Sequence, residues 1–319
     1  MEIAILVVDG VFDSGLAAVL DVLRTADELR DEIPNPPYWR ARTVGIDGPV
    51  TTAAGHQVPV LPADEAIDRA DLVVLPGLSG RTPQALVSHV ASAECEPVRR
   101  LLADAHARGR RIASACSGTV LLAETGILNG RHATTSWWLA PTFRERYPEV
   151  LLDDTRMVVE SGSTITAGAA FGHVDLALAI VRMLSPALAE LVSRYLVVDD
   201  RPSQATYAVP SILAKHDPTV AAFESWIRAH LAEPLCLPDA ARALGISERT
   251  LQRAVRRTLD TTPVRFAQDI RAEQASHLLR TTDLPVEAVA RRVGYENGNT
   301  LRILLRERRG VTVGMLRRH

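Results

Sequence analysis

The sequence is poor in lysine, cysteine and aromatic residues. Lys215 is the only lysine among 36 basic residues, and aromatic residues make up 4% of the chain. Its three cysteines, Cys95, Cys116 and Cys236, are scattered and show no C-x-x-C spacing. Such a pattern excludes a disulfide framework and a cysteine-rich zinc site. We therefore expect a protein of a reducing compartment, with no metal site and no cofactor.

Long apolar runs are also absent. No stretch reaches the roughly 18 apolar residues that a membrane helix needs. The first residues, "MEIAILVVDG", contain neither a basic leader nor a small-residue cleavage site, so we expect no signal peptide, no membrane partner and a cytoplasmic location. With 319 residues and 47% hydrophobic content, the chain is long enough for two domains with ordinary cores.

Charge is distributed unevenly along the chain. Residues 215–319 hold 18 basic and 12 acidic residues, a net charge of +6, while residues 1–214 carry −8; together they give the −2 of the whole chain. Codon bias explains a preference for arginine over lysine, but it does not explain why the excess is confined to one part. The asymmetry indicates that only the second part contacts nucleic acid.

Strand and helix patterns alternate in the first part. Residues 2–9 and 71–77 are apolar and rich in β-branched residues, as buried parallel strands are, and "RRIASAC" ends a further strand at Cys116. Residues 14–32 and 136–147 have helical spacing. The predicted fold is an α/β domain with a parallel sheet over residues 1–198, followed by a proline-rich linker over 199–217 and an all-α domain over 218–319.

The all-α part contains a helix-turn-helix pattern, "LPDAARALGISERTLQRAVRRTL" (237–259). Gly245 permits the tight turn, and Ser247 is a suitable N-cap for the second helix. Leu251 and Val255 form the buried face of that helix. Arginines and polar residues occupy the opposite face, which is the mixture that a helix in a DNA groove requires.

A second copy, "LPVEAVARRVGYENGNTLRILLRERRG" (284–310), begins about 47 residues later, with a turn at Gly294. Leu301, Leu304 and Leu305 are predicted to face inward. The long helix "PVRFAQDIRAEQASHLLRTT" (263–282) joins the copies. A helical bundle with arginines on its solvated face is the alternative, and the duplication disfavours it.

This tandem pattern resembles the AraC/XylS family over residues 220–319, on "LGISERTLQRAVRRTLDTTPVRFAQDIR" and "AVARRVGYENGNTLRILLRERRGVTVGMLRR". The resemblance implies that the two second helices enter successive major grooves of promoter DNA, with Gly298 among the positions of the second reader. Because Gly298 has no side chain and Ile303 stands where an arginine is common, we expect the second copy mainly to hold the DNA backbone. The predicted DNA-binding residues are Ser247, Arg249, Thr250, Gln252, Arg253, Arg256, Arg257, Asn297, Asn299, Thr300, Arg302 and Arg306.

Cys116 lies between an apolar strand and the start of a helix, in "ACSGTVLLAETGILNG". Small residues around such a sharp turn are typical of a nucleophile elbow, where helix N–H groups lower a thiol pKa. Residues 1–190 resemble the glutamine-amidotransferase-like (PfpI-like) fold, a flavodoxin-like class I amidotransferase arrangement, on "LVVDGVFDSGLAAVLDVLRTADEL", "DLVVLPG" and "GAAFGHVDLALAIV" as well as on the elbow.

The partners that a cysteine hydrolase requires are not in their usual places. The resemblance implies a histidine after the cysteine, where Ser117 stands, and a glutamate on the first helix, where Gly15 stands. His173, His56 and His132 are the remaining candidates for a base. Cys116 is open to three interpretations: a ligand-pocket residue in an elbow without catalysis, a redox or covalent sensor, and a catalytic nucleophile.

Parallel sheets bind ligands at the carboxyl ends of their strands. We expect Asp9 or Asp13 to follow the first strand there, and Trp137 with Trp138 either to form an aromatic wall or to pack in the core. The predicted ligand pocket consists of Asp13, Gly77, Leu78, Cys116, Ser117, Ser136, Trp137 and His173.

These patterns predict a transcription regulator. Its α/β domain is expected to bind a small-molecule effector, to form a homodimer, or both, and its helical domain to bind double-stranded promoter DNA, with RNA polymerase as a further partner if it is an activator. The alternatives are a Cys116-dependent amidase, peptidase or hydratase, and a purely structural dimer module without a ligand.

Overall fold

The computed structural model describes residues 1–80 and 82–317, and of Thr206 the backbone alone. It consists of two compact units, Met1–Gln204 and Ala205–His319. The predicted helical domain therefore ends with two residues, 318 and 319, that lie outside the described part.

A seven-stranded sheet forms the centre of the first unit, in the order β10-β11-β7-β6-β1-β2-β5. All its neighbouring strands are parallel except β10 and β11, which form an antiparallel hairpin at one edge. Two small two-stranded sheets, β3-β4 and β8-β9, lie apart from it. The strands of this unit are β1 (Glu2–Leu6), β2 (Arg40–Gly45), β3 (Val50–Thr51), β4 (Gln57–Val58), β5 (Leu61–Pro62), β6 (Leu72–Leu75), β7 (Arg111–Ala115), β8 (His132–Ala133), β9 (Leu151–Leu152), β10 (Val158–Ser161) and β11 (Thr164–Ala167).

Helices cover both faces of the sheet because its central strands are apolar on both sides. In β1, Ala4 and Leu6 belong to one core cluster, whereas Ile3 and Ile5 belong to the other. The helices are α1 (Asp13–Leu29), α2 (Ala63–Arg69), α3 (Pro83–Val90), α4 (Glu96–Ala107), α5 (Gly118–Glu124), α6 (Ala140–Arg146), α7 (Gly172–Leu184) and α8 (Pro186–Tyr195), with a 3-10 turn at Arg30–Glu32. The predicted parallel-sheet domain is thus confirmed.

One predicted helix is shorter than the sequence indicated. Residues 136–147 have helical spacing, but α6 begins only at Ala140, and residues 137–139 form a turn. The preceding residues 134–136 belong to no helix or strand and are fully buried, and their polar groups bond to Thr166 of β11 and to Cys116. Tertiary hydrogen bonds therefore override the local helical preference.

The predicted linker, residues 199–217, is divided between the two units. Residues 202–204 run beside residues 155–157, because the Met157 N–H bonds to the Pro202 carbonyl and the Gln204 N–H bonds to the Thr155 carbonyl. Beyond the boundary come a 3-10 turn at Ala205–Tyr207 and α9 (Pro210–Ala214). Pro210, within the predicted proline-rich linker, begins a helix, since the fixed φ of proline suits a first helical turn.

The second unit is all-α, as predicted. Its further helices are α10 (Pro218–Ala229), α11 (Leu237–Ala243), α12 (Glu248–Leu259), α13 (Pro263–Thr281), α14 (Val286–Arg292), α15 (Gly298–Arg309) and α16 (Val313–Leu316). The pairs α11–α12 and α14–α15 are the two helix-turn-helix copies. Phe266 and Ile270 of α13 belong to the first copy's core, whereas Ala275 and Leu279 belong to the second copy's core. One long helix thus serves both cores.

Candidate functional site

The first predicted reader, α12, begins as the sequence indicated. Gly245 adopts a φ of 67°, which glycine tolerates without strain. Ser247 is the N-cap, and its Oγ accepts a hydrogen bond from the Thr250 N–H at 3.1 Å. Leu251 and Val255 are fully buried. The cap and the buried face fix which residues of α12 face the solvent.

The DNA-binding residues predicted for the first copy lie on the solvent-facing side of α12 and at its N-cap. Thr250 is half-buried, whereas Ser247, Arg249, Gln252, Arg253, Arg256 and Arg257 are exposed. Two of the arginines have intramolecular partners: Arg257 bonds to the buried Asp217 at 2.5 Å, and Arg256 lies 3.5 Å from Asp260. Asp217 caps α10, so Arg257 also supports the unit's own structure.

The second reader, α15, is capped by Asn297, whose Oδ1 accepts hydrogen bonds from the Thr300 N–H at 2.9 Å and the Thr300 hydroxyl at 3.1 Å. Asn297 was predicted as an outward DNA contact, and the structure gives it this second role. Asn299, Thr300, Arg302 and Arg306 are exposed as predicted. Leu301, Leu304 and Leu305 are buried, which confirms the predicted inner face.

Gly298 does not belong to the outward face. It is buried against α14, and a Cβ there would lie 2.7 Å from Glu287 Oε1 and 3.1 Å from Val286 Cγ1. The reading position that the resemblance implied at residue 298 is therefore wrong for this chain. Glycine stands there because the two helices approach closely.

The two reading faces are electropositive. Within residues 1–80 and 82–317, Arg249, Arg253 and Arg306 have no carboxylate within ion-pair distance, and Arg302 lies 3.7 Å from Glu287. Unpaired guanidinium groups on exposed helices suit contacts with phosphates and with base edges. This arrangement can bind a polyanion without first breaking strong internal ion pairs.

Cys116 occupies the predicted elbow between β7 and α5. It adopts a φ of 55°, a left-handed conformation that non-glycine residues rarely take. The Cys116 N–H bonds to the Ala167 carbonyl at 2.8 Å, and the Cys116 carbonyl accepts a bond from the Thr135 hydroxyl at 2.7 Å. Gly118 follows because a Cβ there would lie 2.6 Å from the Pro76 carbonyl oxygen.

The sulfur is shielded from solvent. Cys116 is 7% exposed, and the hydroxyl of the fully buried Ser136 donates a hydrogen bond to Sγ at 3.0 Å. Burial raises the pKa of the Cys116 thiol, and the hydrogen bonds from Ser136 and Ser117 offset only part of that effect. The expectation that the elbow lowers this pKa is therefore wrong, because burial raises the pKa by more than these hydrogen bonds lower it.

Ser117 takes the place at which a histidine was expected. Its Oγ accepts a bond from the Leu78 N–H at 2.7 Å and donates one to the Leu78 carbonyl at 2.5 Å. Gly77 lies beside it, since a Cβ at Gly77 would approach Ser117 Oγ, Cys116 Cβ and the ring of His173. The elbow, Gly77, Leu78 and His173 thus come together as predicted.

His173 is fully buried and uses both ring nitrogens. Nε2 accepts a bond from the Gly77 N–H at 2.8 Å, and Nδ1 donates one to the Ala170 carbonyl. Burial lowers the pKa of His173. A Cβ at Gly15 would lie 2.8 Å from the imidazole, so the ring occupies the space beside the position expected for a glutamate. His173 is a neutral structural residue and has no free nitrogen to serve Cys116 as a base.

Asp13, a further residue of the predicted pocket, bonds to the segment that follows β3. Asp13, at the start of α1, accepts bonds from Thr52, the Ala54 N–H and His56, and the bond from His56 is the main reason that its pKa falls to about 2. Asp9 accepts a bond from the Thr51 N–H. Both carboxylates hold the loop after β3, and His56 is thereby tied to Asp13.

The two adjacent tryptophans, Trp137 and Trp138, are both half-buried. The backbone N–H of Trp137 donates to Oε1 of the Gln204 side chain at 3.1 Å. Trp138 packs partly against one core cluster. His132 is exposed in β8. The predicted pocket residues that the structure brings together at the elbow are Gly77, Leu78, Cys116, Ser117, Ser136 and His173.

Gln204 is the residue near this site that the sequence did not reveal. It is fully buried, and its side chain bonds to the loop that carries Ser136. In the sequence it stands within a proline-bounded segment without periodicity, so no local pattern marked it.

The described residues, 1–80 and 82–317, include no helix long and apolar enough to cross a membrane. Across the same ranges, no group of three or more histidine, cysteine or acidic side chains is placed to hold a metal ion.

Sequence comparison relates both parts of the chain to known proteins. The profile of the DJ-1/PfpI family matches residues 1–183, and that of a helix-turn-helix domain matches residues 240–319. The HTH-type transcriptional regulator CdhR of Pseudomonas aeruginosa is 27% identical over 288 residues, which cover 89% of this chain and 81% of the relative. The HTH-type transcriptional regulator GlxA of Rhizobium meliloti is 27% identical over 194 residues, 59% of each chain.

Among solved structures, an AraC family transcriptional regulator from Pseudomonas putida superposes with a TM-score of 0.51 at 23% identity. The superposition covers 61% of this chain and 98% of that one. Drosophila melanogaster DJ-1beta gives a TM-score of 0.50 at 21% identity, over 62% and 98% of the two chains. These similarities concern the fold.

Proposed function

Because the chain belongs to the DJ-1/PfpI family and continues into an AraC-type helix-turn-helix domain, we propose that it is a sequence-specific transcription regulator that binds promoter DNA. The observation that carries this proposal is the duplicated, capped second helix, α12 and α15, each with an exposed face rich in arginine. One such helix would suit many helical proteins. Two copies joined by a shared long helix suit a protein that reads two successive grooves.

The placement of side chains suggests how DNA is read. A recognition helix approaches base edges with its N-terminal half. In α12 this part consists of the N-cap Ser247 and of Arg249, Gln252 and Arg253. Arg256 and Arg257 lie in its last turns, where contacts to phosphates position the protein on the duplex. On α15 the exposed polar set is shorter, and Gly298 faces inward. The first copy therefore supplies most of the base reading, and the second adds mainly backbone contacts.

A Cys116 hydrolase is the rival function, and the elbow does not support it. A thiol nucleophile needs a thiolate and a base within hydrogen-bond reach. Burial raises the thiol pKa of Cys116, its hydrogen-bond partner is the hydroxyl of Ser136, and both nitrogens of His173 are engaged elsewhere. The relatives found by sequence are named as regulators. The chain is a regulator and not an enzyme.

The α/β unit has the place that an effector domain takes in such a regulator. We propose that it binds a small molecule at the elbow and that the effector shifts the population between two conformations. A homodimer would double the DNA contacts and match repeated half-sites. The regulator would act in the cytoplasm, where promoter DNA is, with RNA polymerase as its partner if it activates transcription.

The test is fluorescence anisotropy of the full chain with labelled DNA from upstream of its own gene, at about 150 mM salt, against a random duplex of equal length. We expect at least a tenfold preference for the upstream DNA. Arg249→Ala with Arg253→Ala should abolish that preference, whereas Arg24→Ala, on an exposed position of α1, should not. Equal binding of wild type to both duplexes, with and without candidate effectors, would refute sequence-specific regulation.

A further inference from the structure

The last residue of the α/β unit is held by its own buried side chain. Gln204 Nε2 donates to the Thr135 carbonyl at 2.7 Å, to Thr134 Oγ1 at 3.1 Å and to the Arg156 carbonyl at 3.2 Å. Its Oε1 accepts a bond from the Trp137 N–H at 3.1 Å. An amide with all these partners in a solvent-free site is strongly oriented, since each buried bond is costly to leave unmade.

The chain around Gln204 makes further bonds through its backbone and through Ser203. The Gln204 N–H reaches the Thr155 carbonyl at 2.9 Å, and the Met157 N–H reaches the Pro202 carbonyl at 3.1 Å. The Ser203 hydroxyl donates to the Thr155 carbonyl at 2.7 Å. The buried side chain of Gln204 is thus one of the anchors of the segment 202–204, which leads directly into the second unit at Ala205.

The segment that bonds to Gln204 also bonds to the cysteine elbow. We call residues 134–137 the strap. The Ser136 hydroxyl donates to Cys116 Sγ at 3.0 Å, and the Thr135 hydroxyl donates to the Cys116 carbonyl at 2.7 Å. The strap thus bonds to the elbow through two side chains and to Gln204 through its backbone on either side of Ser136.

We propose that Gln204 is the positioning residue that couples the cysteine elbow to the chain leading into the DNA-binding unit, an inference that rests on the proposed regulatory function. A ligand or adduct at Cys116 must displace Ser136, because the sulfur is almost fully covered. Displacing Ser136 moves the Thr135 carbonyl and the Trp137 N–H away from the Gln204 amide. The segment 202–204 then loses the hydrogen bonds between the Gln204 side chain and the strap, immediately before Ala205.

Gly168 provides an independent way to disturb this contact. The three atoms nearest to a Cβ built there all belong to Gln204, at 2.2, 2.5 and 2.7 Å. Gly168 lacks a left-handed φ, so alanine fits its backbone. Gly168→Ala should therefore displace the Gln204 side chain without altering any group that Gln204 bonds to. In Gln204→Ala the same methyl group finds open space.

The first test measures how fast iodoacetamide alkylates Cys116 at pH 8, with peptide mass spectrometry to separate the three cysteines. Gln204→Glu puts a carboxylate against two carbonyl oxygens, and Gly168→Ala displaces the amide; each should accelerate alkylation at least tenfold. Gln84→Glu, an exposed glutamine on α3, is the matched control and should change nothing. The double variant Gly168→Ala/Gln204→Ala should react like Gln204→Ala alone. Unchanged rates in both single variants would overturn the proposal.

The second test needs no substitution. Hydrogen exchange is followed in peptides covering residues 153–159 and 199–209, before and after alkylation of the wild-type chain. We expect alkylation to raise exchange in both peptides, and Gln204→Glu to show that raised exchange without alkylation. No change at 199–209 upon alkylation would overturn the coupling.

The last test uses the upstream DNA. Alkylated wild type, Gln204→Glu and Gly168→Ala should each differ from untreated wild type by at least threefold in Kd, and alkylation should add nothing to the two variants. Faster alkylation and raised hydrogen exchange together with an unchanged DNA affinity would refute the coupling. If wild type shows no DNA preference at all, the proposed function fails, while the alkylation and exchange measurements still report on Gln204.

Discussion

The Ser117 hydroxyl bonds to both main-chain groups of Leu78, accepting from its N–H at 2.7 Å and donating to its carbonyl at 2.5 Å. This pair ties the start of α5 to the loop after β6. The Leu78 amide is therefore engaged, and it is not free to stabilise negative charge near the sulfur. The histidine that the resemblance implies at residue 117 could not make this compact two-way contact.

Arg253 provides the first prediction. It is exposed on α12 and has no ion-pair partner among the described residues. Arg253→Ala should cost about 1–3 kcal/mol in binding to the upstream DNA and relax specificity at one base pair. Anisotropy titrations against a set of single-base variants of the site check this, with Arg24→Ala as the control for a lost charge.

A different pattern would contradict base reading by Arg253. If Arg253 contacts phosphate alone, Arg253→Ala should weaken binding to all duplexes alike. The slope of log affinity against log salt concentration should then fall by about one.

Asn297 provides the second prediction. Because its side chain caps α15, Asn297→Ala should lower the free energy of unfolding by about 1 kcal/mol as well as weaken DNA binding. Asn299→Ala is the matched control: that residue is exposed and next to the capped turn, so its loss should weaken DNA binding alone. Urea unfolding and anisotropy, run on both variants, separate the two effects. Equal stability of the two variants would exclude the capping role.

His173 predicts a pH dependence of stability. Burial holds its folded-state pKa below the ordinary 6.5, so the unfolded chain binds more protons between those two values. This residue's contribution is present above about pH 6.5 and is lost as the pH falls towards the folded-state pKa. The stability difference between wild type and His173→Gln should therefore be larger at pH 7.5 than at pH 5.

Urea unfolding at several pH values measures that difference, and His132→Gln at an exposed position is the control. A difference between wild type and His173→Gln that does not vary with pH would show that His173 has the same pKa in the folded and unfolded states, which contradicts the prediction.

Gly118 predicts a steric effect. A Cβ there would lie 2.6 Å from the Pro76 carbonyl oxygen and 2.9 Å from the Leu75 carbonyl oxygen, both backbone atoms that cannot easily move. Gly118→Ala should destabilise the α/β unit by about 1–3 kcal/mol. At Gly172, the nearest atom is the flexible Met157 sulfur at 3.3 Å, so Gly172→Ala should be milder. Thermal unfolding of the two variants gives the comparison, and similar losses would disprove the steric argument.

The helical unit could be predicted well because its signals are local. Ser247 caps the helix that begins at the next residue by accepting a bond from an N–H three residues further on, and Leu251 and Val255 share a face because they are one helical turn apart. Gly245 and Gly294 both have a positive φ at the turns where the sequence placed them. Gly298 is the exception, because its burial depends on contact with a different helix.

The surroundings of the sulfur could be predicted only in part, since its contacts are not local. The elbow itself followed from a strand that runs into small residues. The partners of Cys116 and His173 lie 20 and 96 residues away along the chain. No spacing rule indicates such pairs, and the direction of a pKa shift depends on burial that only the folded chain shows. For the same reason Gln204, whose partners lie 48 to 70 residues away, escaped notice.

The elbow combines a strained, left-handed backbone at Cys116 with a thiol side chain, and the two can be tested separately. A non-glycine residue in that conformation costs roughly 1–2 kcal/mol, and it persists because its N–H and carbonyl are both held by neighbours. Cys116→Gly would relieve the strain and remove the sulfur, whereas Cys116→Ser would keep the strain and remove the sulfur alone. Comparing the DNA binding of the two variants shows whether regulation depends on the backbone strain at residue 116 or on the sulfur atom.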